Sequence, residues 1–508
     1  MHKKYRQKGN IMIVLNGDSL RKYIEQSGIA SYKKRYCFSD CFNYLNSNDK
    51  NVLCLYGLRR TGKTTLIDQS IAELNDYSDC LRIICDINDD MFDIIECIKN
   101  NDKKYIFIDE VTKVNNFINT SSVLYDLFTY SGKKIILAGT DSLGFYLASN
   151  NELYDRCKLV HTTYIPYKEW NYIFDKSFNE YLNYGGTMTD GSLFYNEDGG
   201  YLSYINSAIV DNVSNSILKW NNKRNYLVSR YSIEEISSAL RKIIELSNRS
   251  FSYKTIINSF ESHDLGSLND LLIKHEITPL DKDKLEPYLK DKLHIMDDNI
   301  GLDKKSVQIL TDYLIKMDIL IKDNDDYVFT QPGLRHSQME DTVSFLRPIL
   351  ARMNYTTKDQ NIIINKLKQD IRGQMIEDIL YVNLVKEKKL SNYEVTKCRD
   401  DSTGKEIDLI LINKDTRDAI AIEVKNSSEK AKRQATYLLD DNFCNQIQKD
   451  LNIEFIHKLI AYNGPIFNNN SYSVDYVNIE DILTDSWFDK KYAVKVFDED
   501  LTPVIPDR

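Results

Sequence analysis

At 508 residues the chain is too long for a single hydrophobic core, which predicts about two to four domains. Hydrophobic residues at 42% and charged residues at 28% describe an ordinary globular composition, and 8 prolines and 19 glycines argue against long disordered linkers. The net charge of −9 does not advertise a nucleic-acid binder, although a local basic patch is compatible with it; no apolar run reaches the length of a membrane span, and Met1-His2-Lys3-Lys4-Tyr5-Arg6 is not followed by a hydrophobic signal region, so a cytoplasmic protein is expected.

Residues 1–50 read as a lead-in of short helices, one of them at Ser19-Leu20-Arg21-Lys22-Tyr23-Ile24-Glu25, with Lys33-Lys34-Arg35 as a solvated basic cluster. Residues 51–170 then alternate strands and helices, as a parallel α/β sheet with helices on both faces requires. The stretch Gly57-Leu58-Arg59-Arg60-Thr61-Gly62-Lys63-Thr64 matches the phosphate-binding loop G-x-x-x-x-G-K-[ST]. Ahead of it the apolar run Asn51–Tyr56 reads as a buried strand, and after it Thr65–Leu74 has apolar residues at helical spacing. In that setting glycine N–H groups turn inward around a phosphate, and the helix N-terminus adds partial positive charge. Lys63 would reach the β- and γ-phosphates of ATP, Thr64 would ligate Mg2+, and Gly57, Arg60, Thr61, Gly62 and Thr65 complete the expected nucleotide-binding set.

About forty residues on, Lys103–Glu110 is a charged start, an apolar strand and two acids at its end. This is the Walker B pattern, with Asp109 holding Mg2+ and Glu110 polarising the attacking water, so hydrolysis is expected as well as binding. The strand Lys133–Asp141 ends in polar residues, and Thr140 or Asp141 is a candidate γ-phosphate sensor, with a plain strand terminus the other reading. Further on come Leu153-Tyr154-Asp155-Arg156 and Tyr164-Ile165-Pro166-Tyr167-Lys168-Glu169-Trp170.

With these two passages, the loop and the Asp109-Glu110 pair, the chain resembles prokaryotic AAA-like P-loop ATPases that carry a C-terminal PD-(D/E)xK, restriction-endonuclease-like domain. In that group the arginine usually follows glycine and the later motif usually reads Pro-Leu-Ser-Phe-x-Glu; here Asp155 precedes Arg156 and the motif is Pro-Tyr-Lys-Glu-Trp. The resemblance implies that Arg156 acts on a neighbouring copy's γ-phosphate, which would require a homo-oligomer, while a surface arginine is the alternative. Residues 171–345 read as a helical lid followed by a winged-helix-like region: the amphipathic run Ser306–Met317, then strands at Ile319–Lys322 and Tyr327–Phe329. Without a basic run there, packing is favoured over DNA binding for that part.

Residues 346–508 carry the second chemistry and are expected to form the nuclease-like α/β domain. Strand periodicity puts Glu406 and Asp408 on one face of Lys405–Ile412, and Glu423 and Lys425 on one face of Ala419–Lys425. Carboxylates that converge so need a cation between them. Asp408 and Glu423 are therefore candidate Mg2+ ligands, and Lys425 can orient or deprotonate the water that attacks a phosphodiester. Glu377 resembles the helix glutamate of the nuclease fold. Gln434 and Tyr437, placed on a following helix, resemble the Gln-x-x-x-Tyr of RecB-like nucleases one residue too close, and Lys430, Lys432 and Arg433 would face a phosphate backbone. The resemblance thus implies DNA as the partner of this domain, cut or only bound. The nine cysteines form no C-x-x-C pair, which argues against zinc and for small core residues in a reducing compartment.

Overall fold

The computed structural model describes residues 5–7, 10–140, 144–145, 153–188, 200–219, 226–260, 267–293, 300–323, 326–387, 390–400, 404–428, 432–465, 467–469 and 474–484. They fall into two compact units, one drawn from residues 1–245 and 299–320, the other from residues 246–298 and 321–508. No helix among the described residues is long and apolar enough to cross a membrane.

The first unit is built on a sheet of β1 (Tyr5–Gln7), β2 (Asn10–Asn16), β3 (Val52–Tyr56), β4 (Cys80–Ile84), β5 (Tyr105–Asp109), β6 (Lys134–Gly139) and β7 (Cys157–His161). The spatial order is β1-β2-β4-β5-β6-β3-β7. The strands from β4 to β7 pair in parallel, while β2 joins β4, and β1 joins β2, antiparallel. Both faces are covered, by α1 (Gly17–Ser27), α2 (Phe38–Asn46) and α3 (Lys63–Leu74) on one side and α4 (Met91–Lys99), α5 (Phe117–Thr120) and α6 (Ser122–Leu124) on the other. Strand alternation explains this: Leu53, Leu55 and Ile136 pack with Leu20, Cys41 and Leu66, whereas Cys54, Ile106 and Leu137 pack with Ile94, Phe117 and Leu124. Each such fully buried Leu or Ile contributes roughly 1.5–3 kcal/mol.

Residues 1–50 hold the short helices expected of them, with Ser19–Glu25 inside α1, but strand precedes these helices. The apolar run Ile11–Leu15 is strand β2, whose Ile13 and Val14 pair with Ile84 and Ile83, so the segment belongs to the sheet. Nor is Arg35 solvated, since it is 3% exposed.

In the second unit, β8 (Leu320–Asp323) and β9 (Asp326–Phe329) form a separate two-stranded sheet. The helix Lys304–Lys316 precedes them in the chain, at the place expected for the helix of the winged-helix-like region. The larger sheet contains β10 (Tyr393–Asp400), β11 (Lys405–Asn413), β12 (Asp418–Lys425), β13 (Glu454–Tyr462), β14 (Phe467–Asn469) and β15 (Val474–Asn478), in the order β10-β11-β12-β13-β15-β14. An antiparallel meander, β10 to β12, leads through the crossover helix Asp441–Leu451 to β13, which is parallel to β12. The 30-residue helix Thr357–Lys386 starts at a capping box made by Thr356 and Asp359 and contacts β10, β11 and β12. Its Tyr381 hydroxyl donates to the Lys322 carbonyl at 3.0 Å, tying β8 to this layer.

Candidate nucleotide site and C-terminal acidic site

The loop after β3 has the backbone that its glycines allow. Gly57 (φ 151°) and Gly62 (φ 87°) both lie at positive φ, and a Cβ on Gly57 would sit 2.3 Å from the Thr162 carbonyl oxygen. Arg60 also has positive φ, at 64°, and its carbonyl accepts from the Met188 N–H at 2.7 Å. Thr61 is fully buried, its hydroxyl donating to the Leu58 carbonyl and lying 2.8 Å from the Thr162 hydroxyl. Lys63 opens α3 and donates to the Gly57 and Leu58 carbonyls at 2.8 and 2.7 Å. Burial pulls its pKa down to about 8, against the raising effect of Glu110 and Asp109. Thr64 is exposed, and Thr65 lies partly buried beside it in the first turn.

The two acids end β5, two strands from β3, with β6 between them. The Thr64 hydroxyl donates to Asp109 Oδ2 at 2.8 Å, so a hydroxyl and a carboxylate meet where one cation could touch both. Asp109 is held by two further donors: the Glu110 N–H on Oδ1 at 3.0 Å and Arg82 Nη2 on Oδ2 at 2.9 Å. Arg82 comes from β4, is completely buried, and also reaches Asp68 of α3 at 3.1 Å. Sequence reading missed Arg82, because a lone charge inside an apolar strand carries no motif. Glu110 adopts φ 57°, and its Oε2 accepts from the Thr140 hydroxyl at 3.1 Å and lies 3.2 Å from Lys113 Nζ. Thr140, just after β6, thus contacts Glu110, while Asp141, the other candidate sensor, lies outside the described residues.

Arg156 sits at the other end of the sheet. It precedes β7, its carbonyl accepts from the Val52 N–H, and the loop begins only after β3 has run its length, about 16 Å at ~3.3 Å per residue. Its guanidinium lies 3.6 Å from Asp126 and over the Tyr125 ring. Arg156 cannot serve its own loop.

In the second unit, Asp408, Glu423 and Lys425 come together, Glu423 and Lys425 on one face of β12 as strand alternation predicts. Lys425 Nζ donates to Glu423 Oε1 at 2.7 Å. Asp408 accepts from the Val424 N–H at 2.7 Å; burial pushes its pKa up to about 6, and Lys425 pulls against that. Both acids are buried. The register between β10 and β11 shifts here: Thr396 pairs with Ile410 but Cys398 with Ile407, so Asp408 and Leu409 together oppose Lys397. This is a β-bulge on β11, and it interrupts the strand's period of two at Asp408 and Leu409. Glu406 is half-buried and lies 3.8 Å from Arg399, and its charge raises the pKa of Asp408. Glu377 of the long helix accepts from Gln374 Nε2 at 2.6 Å; burial, and then Asp408, raise its pKa well above the usual glutamate range. Lys397 was overlooked in the sequence. It lies 2.9 Å from Asp323 and 3.4 Å from Asp378, and its charge favours the ionised forms of Glu377 and Asp408.

Among the described residues, no three His, Cys, Asp or Glu side chains converge closely enough to hold a metal by themselves. Mg2+ at Asp408 and Glu423 would take the rest of its shell from water, backbone or substrate, as this ion commonly does. Gln434 and Tyr437 do not lie on an α-helix: Lys432–Ala435 is a 3-10 turn, and Tyr437 follows in a turn against Phe443. Lys430 and the side chains of Lys432 and Arg433 lie outside the described residues.

Residues 49–171 match the AAA_14 family model, described as an AAA domain. This part of the chain is an AAA-like P-loop ATPase domain. No curated protein matches the chain. Among solved structures, the Walker-type ATPase PABY2304 of Pyrococcus abyssi is 14% identical, with 60% of this chain and 95% of that one covered and a TM-score of 0.27. The Aeropyrum pernix ORC2 protein is 12% identical, at 69% and 100% coverage and a TM-score of 0.29. The Thermotoga maritima RuvB Holliday junction branch migration motor is 13% identical, at 63% and 94% coverage and a TM-score of 0.23. Similarity at this level transfers neither substrate nor partner.

Proposed function

We propose that the AAA-like domain binds and hydrolyses ATP, and that this cycle governs a Mg2+-dependent, restriction-endonuclease-like domain in the second unit that acts on DNA in the cytoplasm. The observation that carries the first part is the meeting of Thr64 and Asp109 at 2.8 Å, with Glu110 held by Thr140 next to them. Mg2+ bound there would neutralise phosphate charge during transfer. The loop N–H groups and Lys63 bind the β- and γ-phosphates, Thr64 and Asp109 fix the cation's place, and Glu110 orients and polarises the attacking water. Arg156, which cannot reach its own loop, suits a role on a neighbouring copy in a homo-oligomer.

For the second unit, support comes from the antiparallel meander, the crossover to β13, the long helix carrying Glu377, and Lys425 beside both Asp408 and Glu423. Asp408 and Glu423 would hold Mg2+, and Lys425 would orient the water that attacks a phosphodiester. A second reading, recognition of nucleic acid or protein without cleavage, is favoured by one observation: Lys425 is already engaged by Glu423 at 2.7 Å. Incubation with plasmid DNA, with and without Mg2+ and ATP, separates the two. Cleavage lost in both Asp408→Asn and Lys425→Ala, with ATP hydrolysis kept, is the expected result. Mg2+ binding at Asp408 without cleavage of any DNA or RNA would leave the domain a binding module.

A further inference from the structure

Arg35 and Glu169 are 134 residues apart in the chain, both within the first unit, and form a buried bidentate pair beneath the phosphate-binding loop. Each is 3% exposed. Arg35 Nε donates to Glu169 Oε1 at 2.9 Å and Nη2 to Oε2 at 2.7 Å, the parallel fork that a guanidinium and a carboxylate make best. The Tyr36 N–H adds a third donor on Glu169 Oε1 at 2.7 Å, so the carboxylate cannot swing away. The other edge of the guanidinium faces the loop: Nη1 donates to the Thr61 carbonyl at 2.7 Å and to the Thr163 carbonyl at 3.2 Å.

The Thr61 carbonyl shares its peptide unit with the Gly62 N–H. In a planar trans peptide the two point in opposite directions. Holding that carbonyl outward therefore aims the Gly62 N–H to the opposite side, the inner side of the loop where a phosphate is cradled. A flipped peptide, which the freedom of Gly62 would otherwise allow, would place a carbonyl oxygen against phosphate. Because Glu169 balances its charge, Arg35 can hold the carbonyl without adding a net charge beneath the loop.

We propose that Arg35, clamped by Glu169, is a positioning residue for nucleotide binding that fixes the Thr61–Gly62 peptide in its phosphate-accepting orientation. The proposal rests on the reading of this loop as a nucleotide site and names two residues outside the motif on which that site depends. Lysine cannot replace arginine here, because one ammonium cannot span the carboxylate and the loop carbonyl with a planar fork.

The test is ADP affinity by calorimetry, in the full chain, alongside thermal melting. Removing one partner alone would strand a buried charge and risk unfolding, so the key variant is Arg35→Met with Glu169→Met, which removes both charges and keeps apolar bulk. The expected result is a cooperatively folded protein whose ADP dissociation constant rises at least tenfold. Arg35→Lys should raise it in the same direction. Purely structural residues would lower the melting temperature and leave the affinity of the folded protein unchanged, so a folded double variant with native ADP affinity overturns the proposal. If the double variant does not fold, Arg35→Lys decides by the same criterion. Absence of ADP binding by the native chain, with Lys63→Ala indistinguishable from it, would instead overturn the nucleotide reading and the proposal with it.

Discussion

Replacing Asp408 by asparagine separates the charge of the C-terminal site from its shape. The amide keeps an oxygen to accept from the Val424 N–H, 2.7 Å away in the native chain, and fills nearly the same volume. It removes a carboxylate whose pKa burial pushes up to about 6. The difference from the ordinary aspartate value corresponds to about 3 kcal/mol. The folded state holds this proton more tightly than the unfolded chain. The group therefore costs little below pH ~4, becomes unfavourable as pH rises through ~4 to 6, and stays so above. Asp408→Asn should leave the second unit's stability near native at pH 4 and raise it by up to about 3 kcal/mol at pH 7.5, in EDTA and without nucleotide. Urea unfolding at the two pH values measures this directly. Mg2+ at ten times its dissociation constant should then add about 1.4 kcal/mol to the native chain and nothing to the variant. An equal stability change at both pH values would refute the argument, since it would mean that the Asp408 carboxylate is not held against ionisation by the fold. A Mg2+ effect that survives the substitution would place the ion elsewhere.

Lys63→Ala should abolish ATP binding in an equilibrium assay, whereas Glu110→Gln should bind ATP normally and hydrolyse it at least about 100-fold more slowly. Native turnover in Glu110→Gln would remove that residue from the reaction. Arg156→Ala should leave ATP affinity unchanged and lower turnover only at concentrations where copies associate; native turnover throughout would discard a role in trans. Gly57→Ala should destabilise the first unit by about 1–3 kcal/mol, because its Cβ would sit 2.3 Å from the Thr162 carbonyl at a φ that L-residues rarely adopt. Thermal melting within 0.5 °C of native would show that the loop relaxes around it.

What could be read from the sequence was what the chemistry writes contiguously. Gly57 to Thr64 and Tyr105 to Glu110 are each one strand end with its turn, so spacing alone placed them, and the parallel sheet brings their side chains together. The end of β6 was placed beside the Walker B strand for the same reason, and Thr140 there meets Glu110. Strand β2 was legible too, as the run Ile11–Leu15, but the helical signal at Ser19–Glu25 dominated the reading of the segment as a whole.

The remaining residues were hidden by two different physical causes. Arg82, Arg35 and Glu169 are charges that the fold buries only because distant partners satisfy them, and a sequence window sees the charge without the partner. Lys33-Lys34-Arg35 illustrates the limit: three cations in a row look alike, yet Lys34 forms an exposed pair with Glu73 while Arg35 lies under the loop. At Asp408 the cause is geometric. Period-two reasoning holds only while a strand keeps its register, and one additional residue on β11 opposite Lys397 changes which neighbours Asp408 meets. Glu406 is half-buried and its charge raises the pKa of Asp408, while Lys397, which carried no signal, supplies opposing charge to the site. Lys425, and to a smaller degree Lys397, support the ionised form of Asp408 against the cost of burial and the repulsion of Glu406. That balance is what the Asp408→Asn measurement reads.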